Sequence, residues 1–555
     1  MNANLKKSPR NPQLLLTAGA ATLLVGGGAI AYWFFSRQGQ LSVMPVGANV
    51  IPQDALMVLS VTTESNQWRQ MREFGTQRSQ AAFEQTLTQW RDRLLTSRGL
   101  DYGRDVQPWI GKEVTVAFLP PQAGIDNSNP AQPRVTPQPM MMVLPISDPL
   151  KAKQTLEQSA VAQGKWAERQ YKGVQIRENQ GDPAQSMSFA VLDAQEMVLT
   201  NHPKAIEKAI DTYKGGAALT GTPGYGDALT QVNAEQPLAR FYVNIPAAAN
   251  TSAANSTRPL PPQSLSQLQQ NQGFAGTAIL ASEGIQFKSI SWLKPDSQRR
   301  FDTRNNAKIM LNRLPSDTLM MASGGDLKRF WQDYAQGVSA NPIRLINPEA
   351  LKQGIKTTVG LDLEKDFLNW MEGEFTLALV PAQQGAPASL PAGLVFMVKT
   401  NDRRSAETTL KRLDETMAAK YTFKVEEAKV AGQSLVNWSL PTANINISRG
   451  WLDGDVAFLS LGAPVAQNLL PKPTSALAES EMFRKSTTSD LAQNNGHFFV
   501  NVDRLLELKN FPLLQLPIAN RSALEAMNAI GVTASVTSDR TARYDVFVML
   551  KKTDN

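Results

Sequence analysis

At 555 residues, 42% of them apolar, the chain is long enough for two to four packed domains. It contains no Cys, which removes disulfides, zinc–thiolate sites, iron–sulfur clusters and cysteine nucleophiles together. The net charge of +7 does not point to nucleic acid: four of the 56 Lys and Arg fall in the acid-free residues 1–37, leaving 52 bases against 49 acids, with no basic run or face.

The first predicted element is a membrane span. Residues 14–35 (LLLTAGAATLLVGGGAIAYWFF) carry no charge across 22 positions, about 33 Å of helix against a hydrocarbon core of roughly 30 Å. Lys6, Lys7 and Arg10 precede the run and only Arg37 follows closely. This bias predicts a cytoplasmic tail over 1–13, a transmembrane anchor over 14–35 and an extracytoplasmic chain beyond a linker at 36–46. Ala29-Ile30-Ala31 resembles a cleavage site, but the run exceeds the length of a signal-peptide core.

Beyond the linker the chain begins twice. Residues 50–71 and 313–334 share a Pro-x-Asp opener (Pro52/Asp54, Pro315/Asp317), an apolar run and a Trp (Trp68, Trp331). Residues 99–122 (GLDYGRDVQPWIGKEVTVAFLPPQ) and 360–383 (GLDLEKDFLNWMEGEFTLALVPAQ) then match at ten of 24 positions without a gap. Residues 148–158 face 402–412, 240–245 face 497–502, and 277–293 face 533–549. The pattern predicts two tandem copies of one unit, 47–295 and 310–553, joined by a linker at 296–309. A duplication of this kind favours a pseudo-twofold arrangement of the halves.

Within a unit, Phe83, Leu87, Trp90 and Leu94 form one helical stripe. Val114, Val116 and Phe118 alternate with Glu113, Thr115 and Ala117, and the second copy repeats this at Phe375, Leu377 and Leu379. Period two predicts a half-buried strand with the Glu, Thr and Ala on its polar side. Turn signals at Lys172-Gly173, Asp193-Ala194, Asp453-Gly454 and Glu283-Gly284 separate further short strands. The fold class is α+β: an antiparallel sheet with helices packed on one face, twice. Pro/Asn/Ser-rich stretches at 122–139 and 247–264, with a shorter one at 383–392, read as mobile loops.

Chemistry is sparse. His202 stands before Pro203 at a helix start and His497 opens a strand, neither in a ligand spacing. No dinucleotide fingerprint, P-loop or nucleophile elbow occurs. Asp101, Asp105 and Glu113, with Asp362, Asp366 and Glu374, are the best acidic constellation, suited to acid–base work or cation binding. Their presence in both copies instead fits caps and strand positions, which both folds need, whereas one active site needs only one copy. Trp109 and Trp370 read as core on the same ground. No catalytic, cofactor or metal residue is assigned.

The span, the Pro-x-Asp opener and the twice-occurring G-L-D…D…W…E…T…A…P segment resemble an uncharacterised family of single-span bacterial, mainly cyanobacterial, envelope proteins, defined as a domain of unknown function. The resemblance covers most of 47–550. It implies an extracytoplasmic domain on a membrane anchor, in the periplasm or thylakoid lumen, and supplies no catalytic residue. The expected role is a non-enzymatic, anchored binding or assembly module with an envelope or photosynthetic-membrane protein partner. An alternative is a carrier of an apolar ligand, lipid or pigment, on the sheet faces. A hydrolase is the reading that the residues favour least. Function is expected where the copies diverge or meet, at the loops 122–139 and 247–264 and between the halves.

Overall fold

The computed structural model describes residues 44–94, 101–121, 138–158, 166–179, 187–255, 262–304, 307–335, 348–382, 391–440, 445–462, 464–508 and 518–553. The expected span at 14–35 lies outside them, as do most of the loops at 122–139 and 383–392. Among the described residues no helix is long and apolar enough to cross a membrane.

The fold is α+β, with a large antiparallel sheet and several helices. The first ten strands are β1 (Met57–Thr62), β2 (Glu113–Phe118), β3 (Met140–Pro145), β4 (Trp166–Tyr171), β5 (Val174–Asn179), β6 (Ser188–Leu192), β7 (Glu196–Thr200), β8 (Ala239–Val243), β9 (Asn271–Ala281) and β10 (Gly284–Leu293). The next ten are β11 (Met320–Gly324), β12 (Phe375–Pro381), β13 (Ala392–Lys399), β14 (Lys424–Val430), β15 (Gln433–Leu440), β16 (Ile445–Leu452), β17 (Val456–Gly462), β18 (Gly496–Asn501), β19 (Met527–Ser538) and β20 (Thr541–Leu550).

Pairing in the first part runs β8-β1-β2-β3-β7-β6-β5-β4. In the second it runs β18-β11-β12-β13-β17-β16-β15-β14. Turns are placed alike. Lys172-Gly173 and Ala431-Gly432 each have positive φ at both residues, as do Asp193-Ala194 and Asp453-Gly454. The connections are two residues long at 172–173 and 431–432 and three at 193–195 and 453–455. Positive φ at both central residues gives a twist that suits the flanking strands, and Gly or a short polar residue adopts it at least cost.

The chain divides into two compact units that part between Pro261 and Pro262, with Glu73–Thr76 and Gln231–Asn233 counted in the second. The copies read from the sequence meet further on, at 296–309. The difference is the β9–β10 hairpin, which pairs with β20 and so belongs to the second unit. There the sequence correspondence also slips by one residue. The turns are Ser282-Glu283 and Asp539-Arg540, and an irregularity between Val536 and Ser538 absorbs the extra residue.

Two expectations are corrected. The loop expected at 247–264 is helical at both ends, in Ile245–Asn255 and in Pro262–Leu268. The first of these helices starts from Ile245. Its alanines favour helix over the polar bias of the neighbouring residues, and Asn244 accepts the backbone N–H of Ala247 at 3.1 Å.

Helices also cover both faces of the second unit's sheet, not one. On one face Met321, Ala378, Val395 and Met397 pack with Leu477 and Phe483 from short helices. On the other, Phe375 and Val398 pack with Trp370 and with Ala406 of the helix Arg403–Tyr421.

The strands β2 and β12 are consequently buried on the side that alternation marks as polar. Thr115, Ala117, Thr376 and Ala378 are all buried, whereas Leu377 on the apolar side is 42% exposed. The cause is the chain entering each unit. Val50 and Ile51 in the first unit, and Met310 and Leu314 in the second, lie wholly buried.

Candidate functional site

Glu113 and Glu374 hold those entering segments. In the first unit Glu113 Oε2 accepts from Arg240 Nη1 at 2.7 Å, both side chains 3% exposed. Ser60 Oγ donates to Glu113 Oε1 and lies 2.8 Å from Thr115 Oγ1, which donates to the Val46 carbonyl at 2.6 Å. Burial pushes the Glu113 carboxyl above the ordinary carboxylate range, against the pull of Arg240, Ser60 and the Val46 N–H. In the second unit Glu374 has no matching Arg. It accepts the backbone N–H of Ile309 at 2.8 and 2.9 Å and that of Met310 at 2.9 Å. These carboxylates are enclosed, their acceptor sites filled by the fold.

The remaining acids are caps. Asp101 Oδ1 accepts the Arg104 N–H at 2.9 Å at the start of the π-helical turn Tyr102–Val106. Asp362 Oδ1 accepts those of Glu364 and Lys365, both at 3.0 Å, before Leu363–Phe367. Asp105 and Asp366 reach back to the N–H of Asp101 and Asp362, at 2.8 and 2.7 Å. Their own carbonyls accept Trp109 Nε1 at 2.6 Å and Trp370 Nε1 at 2.8 Å. The Arg104 side chain beside Asp105 draws its carboxyl below the usual range, and backbone N–H groups, chiefly that of Lys365, do so for Asp362. The sequence constellation is thus split between two caps and one buried anchor in each unit, and none of its carboxylate pairs converges on open space.

The histidines are apart and differently placed. His202 Nδ1 accepts the Lys204 N–H at 3.3 Å as an N-cap. His497 occupies in β18 the register position of Arg240 in β8. Its Nδ1 is 3.2 Å from Thr533 Oγ1, and its ring meets Phe483 edge-on at 5.6 Å. Burial lowers its pKa to about 4. Among the described residues no group of three His, Asp or Glu is arranged to hold a metal.

Among the described residues, several large apolar side chains are exposed together. On one face of the second unit's sheet, Phe498 pairs with Ala322, Ala322 with Leu377, and Leu377 with Phe396. Leu394 pairs with Leu379 on one side and Leu461 on the other. Phe498, Leu377, Leu394 and Leu461 are 39, 42, 38 and 44% exposed, and Ala322 is exposed beside them. Phe375, two residues from Leu377 on this face, meets half-exposed Phe330 with the rings tilted by 43° and their centroids 5.3 Å apart. Helices stand to either side. Leu379 packs on Leu505 of the helix Val502–Glu507, and Leu459 packs towards Leu413 and Trp438. Adjacent exposed apolar side chains are a feature that folded proteins often use as an interaction surface.

No sequence signal singles these residues out, because the alternating pattern is equally apolar in both units. The one local clue is Ala322, where the first unit has Leu59.

A family model described as Protein of unknown function (DUF3352) matches residues 16–550, and the chain belongs to that family. Among curated proteins none matches. Among solved structures, crystal form I of TP0453 is similar at 10% identity over 46% of this chain and 80% of that one, with a TM-score of 0.26. Crystal form III of TP0453 is similar at 12% identity over 46% and 81%, with a TM-score of 0.24.

Proposed function

We propose that this member of the family is a membrane-anchored, extracytoplasmic binding or assembly module that works without catalysis and is built as two tandem copies of one unit. The observation that carries the reading is the open apolar face formed by Phe498, Ala322, Leu377, Leu394 and Leu461. The uncharged run at 14–35, with Lys6, Lys7 and Arg10 before it, supports the anchor and the outward topology. The shared strand order β8-β1-β2-β3-β7-β6-β5-β4 and β18-β11-β12-β13-β17-β16-β15-β14 supports the duplication. In this reading the face docks a protein of the envelope or photosynthetic membrane.

A second reading is favoured by the composition of the face. Its central positions carry no polar side chain, so an apolar ligand such as lipid or pigment fits it as well as a protein surface does.

The deciding experiment is affinity isolation of the full chain from membranes, beside a Leu377→Gln/Leu461→Gln variant. A protein recovered with the parent and lost with the variant supports docking. An added mass of lipid or pigment size in native mass spectrometry, lost in the same variant, supports the carrier. Identical recovery from both chains sinks the assignment of this face. Topology has its own test: a reporter active only in the cytoplasm, fused after Asn555, should be silent.

A further inference from the structure

The strands β10 and β20 face each other as equals. Counted from the turn before it, the first residue of each pairs with the ninth of the other, Gly284 with Met549 and Thr541 with Trp292. The fifth residues, Lys288 and Asp545, pair with each other. An antiparallel register centred in this way is what two identical strands build across the twofold axis of an isologous dimer. Here it is made within one chain.

The centre is charged and asymmetric. Lys288 Nζ donates to Asp490 at 2.8 Å. Asp545, wholly buried, accepts from Arg543 Nε at 3.0 Å and Ser489 Oγ at 2.5 Å. Pairing β10 with another β10 would set Lys288 against Lys288, and pairing β20 with β20 would set Asp545 against Asp545. Like charges directly opposite are destabilising, so the centre selects the mixed pair. The margins agree with this choice. Lys485 Nζ lies 2.7 Å from Glu283 Oε1, and Arg540 Nη1 donates to the Lys294 carbonyl at 2.7 Å. A Cβ at Gly284 would stand 2.0 Å from the Val548 carbonyl oxygen, so this approach needs glycine.

We propose that β10 and β20 are a matched recognition pair keyed by Lys288 opposite Asp545, and that a second copy of this chain fits it by reciprocal exchange of the β9–β10 hairpin. The proposal rests on reading the chain as two copies. The same backbone and charge contacts form whether β10 comes from the same chain or another. Local concentration decides between the two.

The absence of Cys makes the test direct. Ser291 and Ala542 are paired small residues, within the Cα separation that a disulfide spans. The full chain carrying Ser291→Cys and Ala542→Cys together should cross-link within itself. Two full chains carrying one change each, mixed at high concentration through mild denaturant and then oxidised, should yield a mixed disulfide dimer. Adding Lys288→Glu to the first chain should abolish that dimer, while Lys288→Met keeps most of it.

Failure of the internal cross-link overturns the pairing itself. An internal cross-link without the mixed dimer overturns the exchange, and a dimer that survives Lys288→Glu overturns the charge key. None of these readouts involves Leu377 or Leu461, so failure here is distinguishable from failure of the binding assignment.

Discussion

One row of side chains is set out in both units and treated differently. In the first it runs Phe241, Leu59, Val116, Met142, in the register that gives Phe498, Ala322, Leu377, Phe396 in the second. Leu59 is buried at 4% exposure and Val116 is half-buried, whereas Ala322 and Leu377 are exposed. The difference teaches that strand pattern and register fix which side chains share a face, while the cover decides whether that face is core or surface. The same strand register can therefore carry a covered row in one unit and an uncovered one in the other.

The sharpest way to break this comparison is to cut where the units agree. Trp109→Ala and Trp370→Ala, both in buried clusters, should each destabilise by about 3–5 kcal/mol, seen as a lower midpoint in urea unfolding. Neutral stability with lost binding would make the two motifs ligand sites. Close behind comes a position where the units differ. Arg240→Met leaves the buried Glu113 without its cationic partner and should cost about 3–5 kcal/mol, whereas His497→Gln at the matching position should leave folding near pH 7 intact.

His497 separates the units by pH. Its folded pKa of about 4 lies below the unfolded value, so its neutral form stabilises the fold above pH ~6.5. The unfolded chain binds the extra proton as pH falls from there toward 4, and up to about 3 kcal/mol is lost across that window. His497→Gln should flatten this part of the stability–pH curve. An unchanged slope would assign the loss to other groups.

The smallest expected effect tests the face itself. Leu377→Gln should move stability by no more than about 0.5 kcal/mol, as exposed positions do, while Leu59→Ala should cost about 2–5 kcal/mol through the cavity it leaves. Equal costs would mean that both faces are core and would remove the binding assignment.

Much of the architecture is legible in the sequence because it is local. The caps at Asp101 and Asp362 and the hairpin turns at Lys172-Gly173 and Asp453-Gly454 are written within a few residues of where they act. The burial of the polar sides of β2 and β12 is not, since the segments that bury Thr115 and Thr376 arrive from about 70 residues upstream and carry no periodic mark. Arg240 meets Glu113 across 127 positions, a pairing that composition cannot announce. The apolar face escaped for a different reason. Its residues look like core, and only the three-dimensional cover tells the two apart.

The pairing of β10 with β20 also sets a clock. About 250 residues separate the end of one strand from the start of the other, and at roughly 5–20 residues per second of synthesis that is on the order of 10–50 s. Through this interval the β9–β10 hairpin must wait with one rim of N–H and C=O groups unclaimed, the kind of rim on which nascent chains find wrong partners. Lys288, midway along it, guards that rim against another waiting hairpin of the same kind until the strand carrying Asp545 is made.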